Sequence, residues 1–277
     1  MKYDGHTHTE YCPHGTVEDT ELLIQKAIQL GFKEYSITEH APLPKAISEL
    51  AGGDPEMWTT ASMALNDVDN YFTRMDKLRK KYASDLVIHI GFELDYFPEF
   101  ESWTTDFLNE YGPLTDDGVL SVHFLPGQGG LRGIDYSFEE YRDGITEPAG
   151  SFQNAQILYY QRVLHSLQAD LGRWKPTRLG HISLCQKFER FFDEPIDYSP
   201  KAVTLIDDLL QQVKEQNYQL DLNTAGFRKK GYTQSYPQAW VLEKAYALGI
   251  PLIYGSDTHS LADIGSDYGK VEHWLNK

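Results

Sequence analysis

Three histidines fall within nine residues near the start of the chain: His6, His8 and His14, in the stretch DGHTHTEYCPHG. Imidazole nitrogens are ligands for Zn, Mn or Fe, and side chains two apart on an extended strand point the same way. His6 and His8 can therefore clamp one ion. The spacing recurs near the other end, where Asp257 and His259 stand two apart in YGSDTH. His40, Glu93, His123 and His181 lie between and add imidazole and carboxylate donors, a set that suits a divalent cation without any thiolate. Cys12 is close enough to offer a thiolate, but it is read as a small buried loop residue. His89, His165 and His273 are read as structural or exposed.

To act together these residues must be delivered to one place. Short β-prone runs do this: residues 2–8, 34–40, 86–93, 119–124, 177–183, 218–223 and 251–257, giving seven predicted strands. Seven of the ten histidines sit at or just after the C-terminal ends of these runs. With Glu93 and Asp257 added, six strands deliver a candidate ligand to one rim. The sixth, ending DLNTAGFR, delivers none.

Helical patterns separate the runs. Residues 16–31 start with Thr16 three residues before Asp19, a loose capping box, and stop at Gly31 as a left-handed cap would. Residues 152–171 repeat Ile157, Tyr160, Leu164, Leu167 and Leu171 at helical spacing, and residues 203–213 repeat Val203, Ile206, Leu209 or Leu210, and Val213. Alternating strands and helices imply a parallel α/β sheet. An open sheet presents its crevice to a few strands, whereas a barrel gathers every strand end around one mouth, so a closed barrel is expected. Two long connections, 41–58 and 125–150, are candidate pocket walls.

The totals narrow the function classes. With 277 residues, no repeat and no linker-like stretch, a single domain spanning 1–277 is expected. A formal charge of −16 argues against a nucleic-acid surface, yet bound cations can reverse the field locally and admit an anionic substrate. No apolar run approaches the roughly 18 residues of a membrane span, and the start MKYDG lacks the apolar segment of a signal peptide. Only two cysteines are present, which suits a reducing compartment, so a cytoplasmic protein without membrane partners is expected. The sequence does not speak to oligomeric state.

The motifs DGHTHTEYCPHG, ITEHAPLP, GFELDY, SVHF, GHISL, LNTAGFRK and YGSDTH, in this order, resemble the PHP (polymerase and histidinol phosphatase) superfamily of metal-dependent phosphoesterases. The likeness covers essentially the whole chain, and CPHG and TEHAPLP look like its histidinol-phosphate phosphatase branch. The resemblance implies a distorted (β/α)7 TIM-like barrel with up to three divalent ions, Zn, Mn or Fe, at the C-terminal mouth. It implies His6, His8, Glu93 and Asp257 on the first ion, Glu93, His123 and His181 on the second, and His14, His40 and His259 on the third. The implied reaction is hydrolysis of L-histidinol phosphate to L-histidinol and inorganic phosphate, a step of histidine biosynthesis.

Two such ions can hold a bridging hydroxide as nucleophile near neutral pH, and their contacts to the non-bridging oxygens would stabilise the transition state. Glu93, Asp257 and His259 are the candidate catalytic residues, with a side chain at the Asp257/His259 end or a metal-bound water protonating the leaving alcohol. Arg228 and Arg162 are candidate phosphate-binding residues. Three alternatives stay open: a phosphoesterase acting on a nucleotide or another small phosphate, an amidohydrolase-like barrel, and a metal-binding protein without enzymatic activity.

Overall fold

A computed structural model describes residues 1–275. Its strands are β1 (Tyr3–Asp4), β2 (Glu34–His40), β3 (Val87–Asp95), β4 (Asp117–Ser121), β5 (Phe124–Gly127), β6 (Gly130–Gly133), β7 (Arg178–Leu179), β8 (Gln219–Asn223) and β9 (Leu252–Gly255). The principal sheet runs β1-β2-β3-β4-β7-β8-β9, and every pairing in it is parallel. Backbone bonds from Gly5 to Tyr254 (2.8 Å), Asp257 to His6 (2.9 Å) and His8 to Thr258 (3.0 Å) join its two edges into a nearly closed barrel. Helices lie between consecutive strands, so the C-terminal strand ends share one rim. The opposite end is plugged by Arg178, which is fully buried and donates to Asp117 Oδ2 (2.7 Å) and the Gly5 carbonyl (2.6 Å).

The seven expected strands are all present, with shifted bounds. The run 2–8 is a strand only at Tyr3–Asp4, plus an isolated bridge between Thr7 and Thr258, and the run 177–183 shrinks to Arg178–Leu179. The reason is local. His181 (φ +26°) leaves the extended region, which ends β7 after Leu179, and Asp257 (φ +51°) does so beyond β9, where its N–H still bonds the His6 carbonyl of the first run.

The first helix spans Thr20–Gln29. Its cap is Asp19, whose carboxylate accepts from the Glu21 N–H at 2.7 Å. The expected start at Thr16 is therefore corrected: that hydroxyl donates to the His259 carbonyl at 2.9 Å. Gly31 takes the left-handed conformation expected of it (φ +81°). The helix Phe152–Gln168 buries Tyr159, Val163 and Ser166 along with the expected Tyr160 and Leu167, while Ile157 and Leu164 are only half-buried. Helix Pro200–Glu215 buries Ile206, Leu209, Leu210 and Val213.

The two long connections are structured. Residues 41–58 contain the 3-10 turn Lys45–Glu49 and lead into the helix Pro55–Thr60, while residues after 123 form the antiparallel β5–β6 hairpin. Ile47, Met57, Phe97, Phe124 and Leu131 make a second core separate from that of the barrel, with Trp58 stacked on Phe124 at 4.5 Å. Arg132 on β6 pairs with Glu140 (Nη2 to Oε2 2.7 Å), and a side chain at Gly53 (φ +74°) would collide with that carboxylate. Among the described residues no helix is long and apolar enough to cross a membrane.

Candidate metal centre

Glu93 sits in β3 directly beside His40 of β2, because the two are register partners. Its Oε2 lies 3.2 Å from His6 Nε2, 3.5 Å from His8 Nε2 and 3.2 Å from His40 Nδ1. Its Oε1 lies 2.8 Å from His181 Nε2 and 3.5 Å from His123 Nε2, and accepts from Ser121 Oγ at 2.6 Å. Asp257 Oδ1 faces His8 Nε2 at 3.3 Å and His6 Nε2 at 4.0 Å. One carboxylate is thus surrounded by five imidazoles from four strand ends, His6 and His8 both following β1.

These contacts are within ion-pair reach, yet His6 Nε2, His8 Nε2 and both ring nitrogens of His40 are buried without hydrogen-bond geometry to any partner. Orphaned buried nitrogens are costly and ask for a ligand. Two close approaches say the same. His123 Nε2 and His181 Nε2 lie 3.2 Å apart, and His14 Nε2 and His259 Nε2 3.0 Å apart. Metal–nitrogen bonds of about 2.0–2.1 Å place two tetrahedral ligands about 3.3 Å apart. The donor set fits divalent cations.

The opposite ring nitrogens are fixed from behind. His6 Nδ1 donates to Asp221 Oδ2 (2.8 Å), His8 Nδ1 to Glu39 Oε1 (3.2 Å), His123 Nδ1 to Asp95 Oδ1 (2.8 Å) and His14 Nδ1 to the Thr60 carbonyl (2.8 Å). An acceptor at Nδ1 puts the proton there and leaves the Nε2 lone pair free for a cation. Sequence reasoning missed this layer. The sixth strand, which offered no ligand, supplies Asp221. Gly255 makes room for it, since a Cβ there would collide with the Asp221 carboxylate.

The charges are strongly coupled. Burial pushes the Glu93 carboxyl up, but His6, His123 and His40 together hold it well below the usual carboxylate range. In the metal-free protein burial pulls His8 and His123 down. Asp257 and Glu39 nevertheless raise His8 to about 9, and Asp95 and Glu93 raise His123 to about 10. His40 and His259 move the other way, lowered by burial and by neighbouring His8.

Ligand-sized groups form at His6/His8/Glu93 and at Glu93/His123/His181. Of the trio His14, His40 and His259, the last two join a group with His8 and Cys12, whereas His14 touches His259 but is not part of that group. Above the rim is a cavity of about 650 Å³, walled by Met57 and Tyr136 from the two long connections, as expected of them, and by Thr60 and Phe124 just outside their bounds.

Three cations line the cavity. Arg228 is tied down, donating to the Ser256 carbonyl (2.8 Å) and lying 3.3 Å from Asp263. Lys187 is paired with Asp135 at 3.1 Å. Lys229 has no ion pair or side-chain hydrogen bond among the described residues, and burial followed by neighbouring Lys187 pushes its ammonium down. Arg162 is not brought to this cavity: its guanidinium faces Glu99 at 3.7 Å. His89 faces Glu34 (3.4 Å) and His165 stacks edge-on against Tyr96, away from the rim.

Residues 4–225 match the PHP domain family model. The chain is 37% identical over 268 residues to the histidinol-phosphatase of Bacillus subtilis (strain 168), covering 97% of each chain. A Listeria monocytogenes structure, described as a candidate histidinol phosphatase, is 53% identical, with a TM-score of 0.95 over 97% of this chain and 99% of that one. The histidinol phosphate phosphatase of Lactococcus lactis subsp. lactis Il1403, solved with zinc, L-histidinol and phosphate, shares the fold at a TM-score of 0.69. It is 19% identical, over 99% of this chain and 92% of that one.

Proposed function

The chain belongs to the PHP domain family, and on that premise we propose that it is a metal-dependent phosphomonoesterase hydrolysing L-histidinol phosphate to L-histidinol and inorganic phosphate. The observation that carries this is Glu93, whose one carboxylate faces five imidazoles, three of which, His6, His8 and His40, turn toward it ring nitrogens without a hydrogen-bond partner. His6, His8, Glu93 and Asp257 would hold one cation, and Glu93, His123 and His181 a second. His40 and His259, with His14 beside His259, would serve a third. Divalent cations bound there supply Lewis acidity toward phosphoryl oxygens and a water ionised near neutral pH.

The chain's own residues do the rest. Asp221, Glu39 and Asp95 hold three imidazoles in one tautomer and orientation. Lys229 offers an uncommitted ammonium to the phosphate, with Arg228 behind it as a fixed positive charge. The cavity volume of about 650 Å³ is in the ordinary range for a small-molecule site.

The whole chain acts as one domain on this reading. β9 lies beyond the residues matched by the family model, yet it closes the barrel and leads into Asp257 and His259. Two unpaired, buried cysteines suit a reducing cytoplasm.

Phosphate release from L-histidinol phosphate and a panel of other phosphomonoesters, measured alongside metal content, tests the proposal. Turnover concentrated on histidinol phosphate is expected. Efficient turnover of a nucleotide or sugar phosphate instead would move the substrate within the family, and bound metal without hydrolysis across the panel would leave a binding protein.

A further inference from the structure

Cys12 stands outside the ligand sets that the resemblance implies, yet the fold brings it to the rim. Its sulfur and the ring nitrogens of His8, His40 and His259 all lie within 4.8 Å of one another. A tight turn holds it there: the Cys12 N–H donates to the Thr9 carbonyl (3.1 Å), and the Gly15 N–H to the Cys12 carbonyl (3.2 Å). Gly15 is packed between Cys12 and the last strand end, since a Cβ on it would lie 3.4 Å from Cys12 Cβ and 3.3 Å from the His259 carbonyl.

An independent feature points to a ligand at this spot. His40 is 6% exposed and neither of its ring nitrogens has a hydrogen-bond partner. A buried imidazole left unsatisfied on both sides is unusual unless something outside the protein's own groups binds it. His8 is drawn toward Glu93 and Asp257, with its other nitrogen on Glu39. That leaves Cys12, His40 and His259 as the donors grouped at the remaining position, with His14 Nε2 3.0 Å from His259 Nε2 at its edge.

We propose that Cys12 is a ligand, through its thiolate, of the cation held by His40 and His259. The inference rests on the reading of the rim as a metal centre. When the sulfur–metal bond forms, the S–H proton leaves to solvent and no electrons are transferred. A soft sulfur donor biases this position toward zinc or ferrous iron and away from manganese or magnesium, while the sets built on Glu93 keep only nitrogen and oxygen donors.

X-ray absorption at the zinc edge of the zinc-loaded full-length protein tests this, because zinc–sulfur bonds of about 2.3 Å separate from zinc–nitrogen and zinc–oxygen bonds of about 2.0–2.2 Å. The expected result is a sulfur shell in the wild type that is lost in Cys12→Ser. The cobalt-loaded wild type gives a second readout that needs no variant, a near-ultraviolet sulfur-to-cobalt charge-transfer band. Bound zinc with nitrogen and oxygen scatterers alone overturns the proposal and leaves the metal centre standing. A sulfur shell that survives Cys12→Ser also overturns it, pointing to Cys185. Failure of the wild type to retain zinc would overturn the metal centre itself.

Discussion

Asp221→Asn exchanges one oxygen for an amide nitrogen at nearly constant volume and removes one buried charge. Asp221 Oδ2 accepts from His6 Nδ1 at 2.8 Å, from Asn223 Nδ2 at 3.0 Å and from the His181 N–H at 3.4 Å. If the new NH2 group faces His6, Nδ1 must accept and the ring proton moves to Nε2, the atom 3.2 Å from Glu93. That tautomer cannot ligate. If the amide oxygen faces His6 instead, the tautomer survives but loses its ionised acceptor. Removal of such an outer partner costs about 10- to 100-fold in metal affinity or activity, or roughly 1.4–2.7 kcal/mol. Competition against a chromophoric chelator near neutral pH, together with phosphate release, measures both. The variant should lose affinity for one cation by that factor and lose turnover in parallel, with its far-ultraviolet circular dichroism unchanged. Wild-type affinity and turnover would refute the claim that Asp221 controls His6.

Three further outcomes are expected. Glu93→Ala should abolish phosphate release while leaving the helical circular dichroism signal in place, since the residue faces five imidazoles and no helix; wild-type turnover would remove it from the chemistry. Metal uptake should release protons, because His8 at about 9 and His123 at about 10 are protonated in the metal-free protein at neutral pH. Affinity therefore rises with pH and falls together with activity on acidification, and calorimetry in two buffers of different ionisation heat counts the protons; none released at neutral pH would contradict this. Because these folded-state values are raised, their contribution to the stability of the metal-free fold is fully present below about 6.5 and is lost as pH rises through about 9–10. Lys229→Met should raise KM roughly 10- to 150-fold, the equivalent of a charge-assisted hydrogen bond of about 1.5–3 kcal/mol, whereas Arg162→Met should leave KM unchanged. The reverse ranking would return the phosphate to Arg162.

Much of the rim was legible because strand-end ligands are a local signal. His6 and His8 two apart, and Asp257 and His259 two apart, announce themselves by spacing, and the seven β-prone runs place the rest. The outer layer was not legible: Asp221, Glu39 and Asp95 look like ordinary strand acids until the barrel closes and sets Asp221 beside His6, 215 positions away. The early end of β7 was not legible either, because nothing around His181 in the sequence marks that one histidine for a positive φ. For Arg162, a position on a helix beside the fifth barrel strand says nothing about which way a long side chain turns; its guanidinium lies outside the cavity lining, 3.7 Å from Glu99.

The chain's two cores divide its evolutionary freedom. The barrel core carries the rim and its metal donors, so changes there disturb ligand geometry and stability together. The smaller core around Met57, Phe124 and Leu131 carries the wall that a substrate's organic portion would touch, and it can be rebuilt by insertion or substitution while the parallel strands keep their register. The two territories meet at the bond from His14 Nδ1 to the Thr60 carbonyl, where the wall's last helical residue steadies an imidazole at the edge of the rim. A change in the wall that keeps the Thr60 carbonyl in place should therefore leave the His14 ring oriented toward the rim.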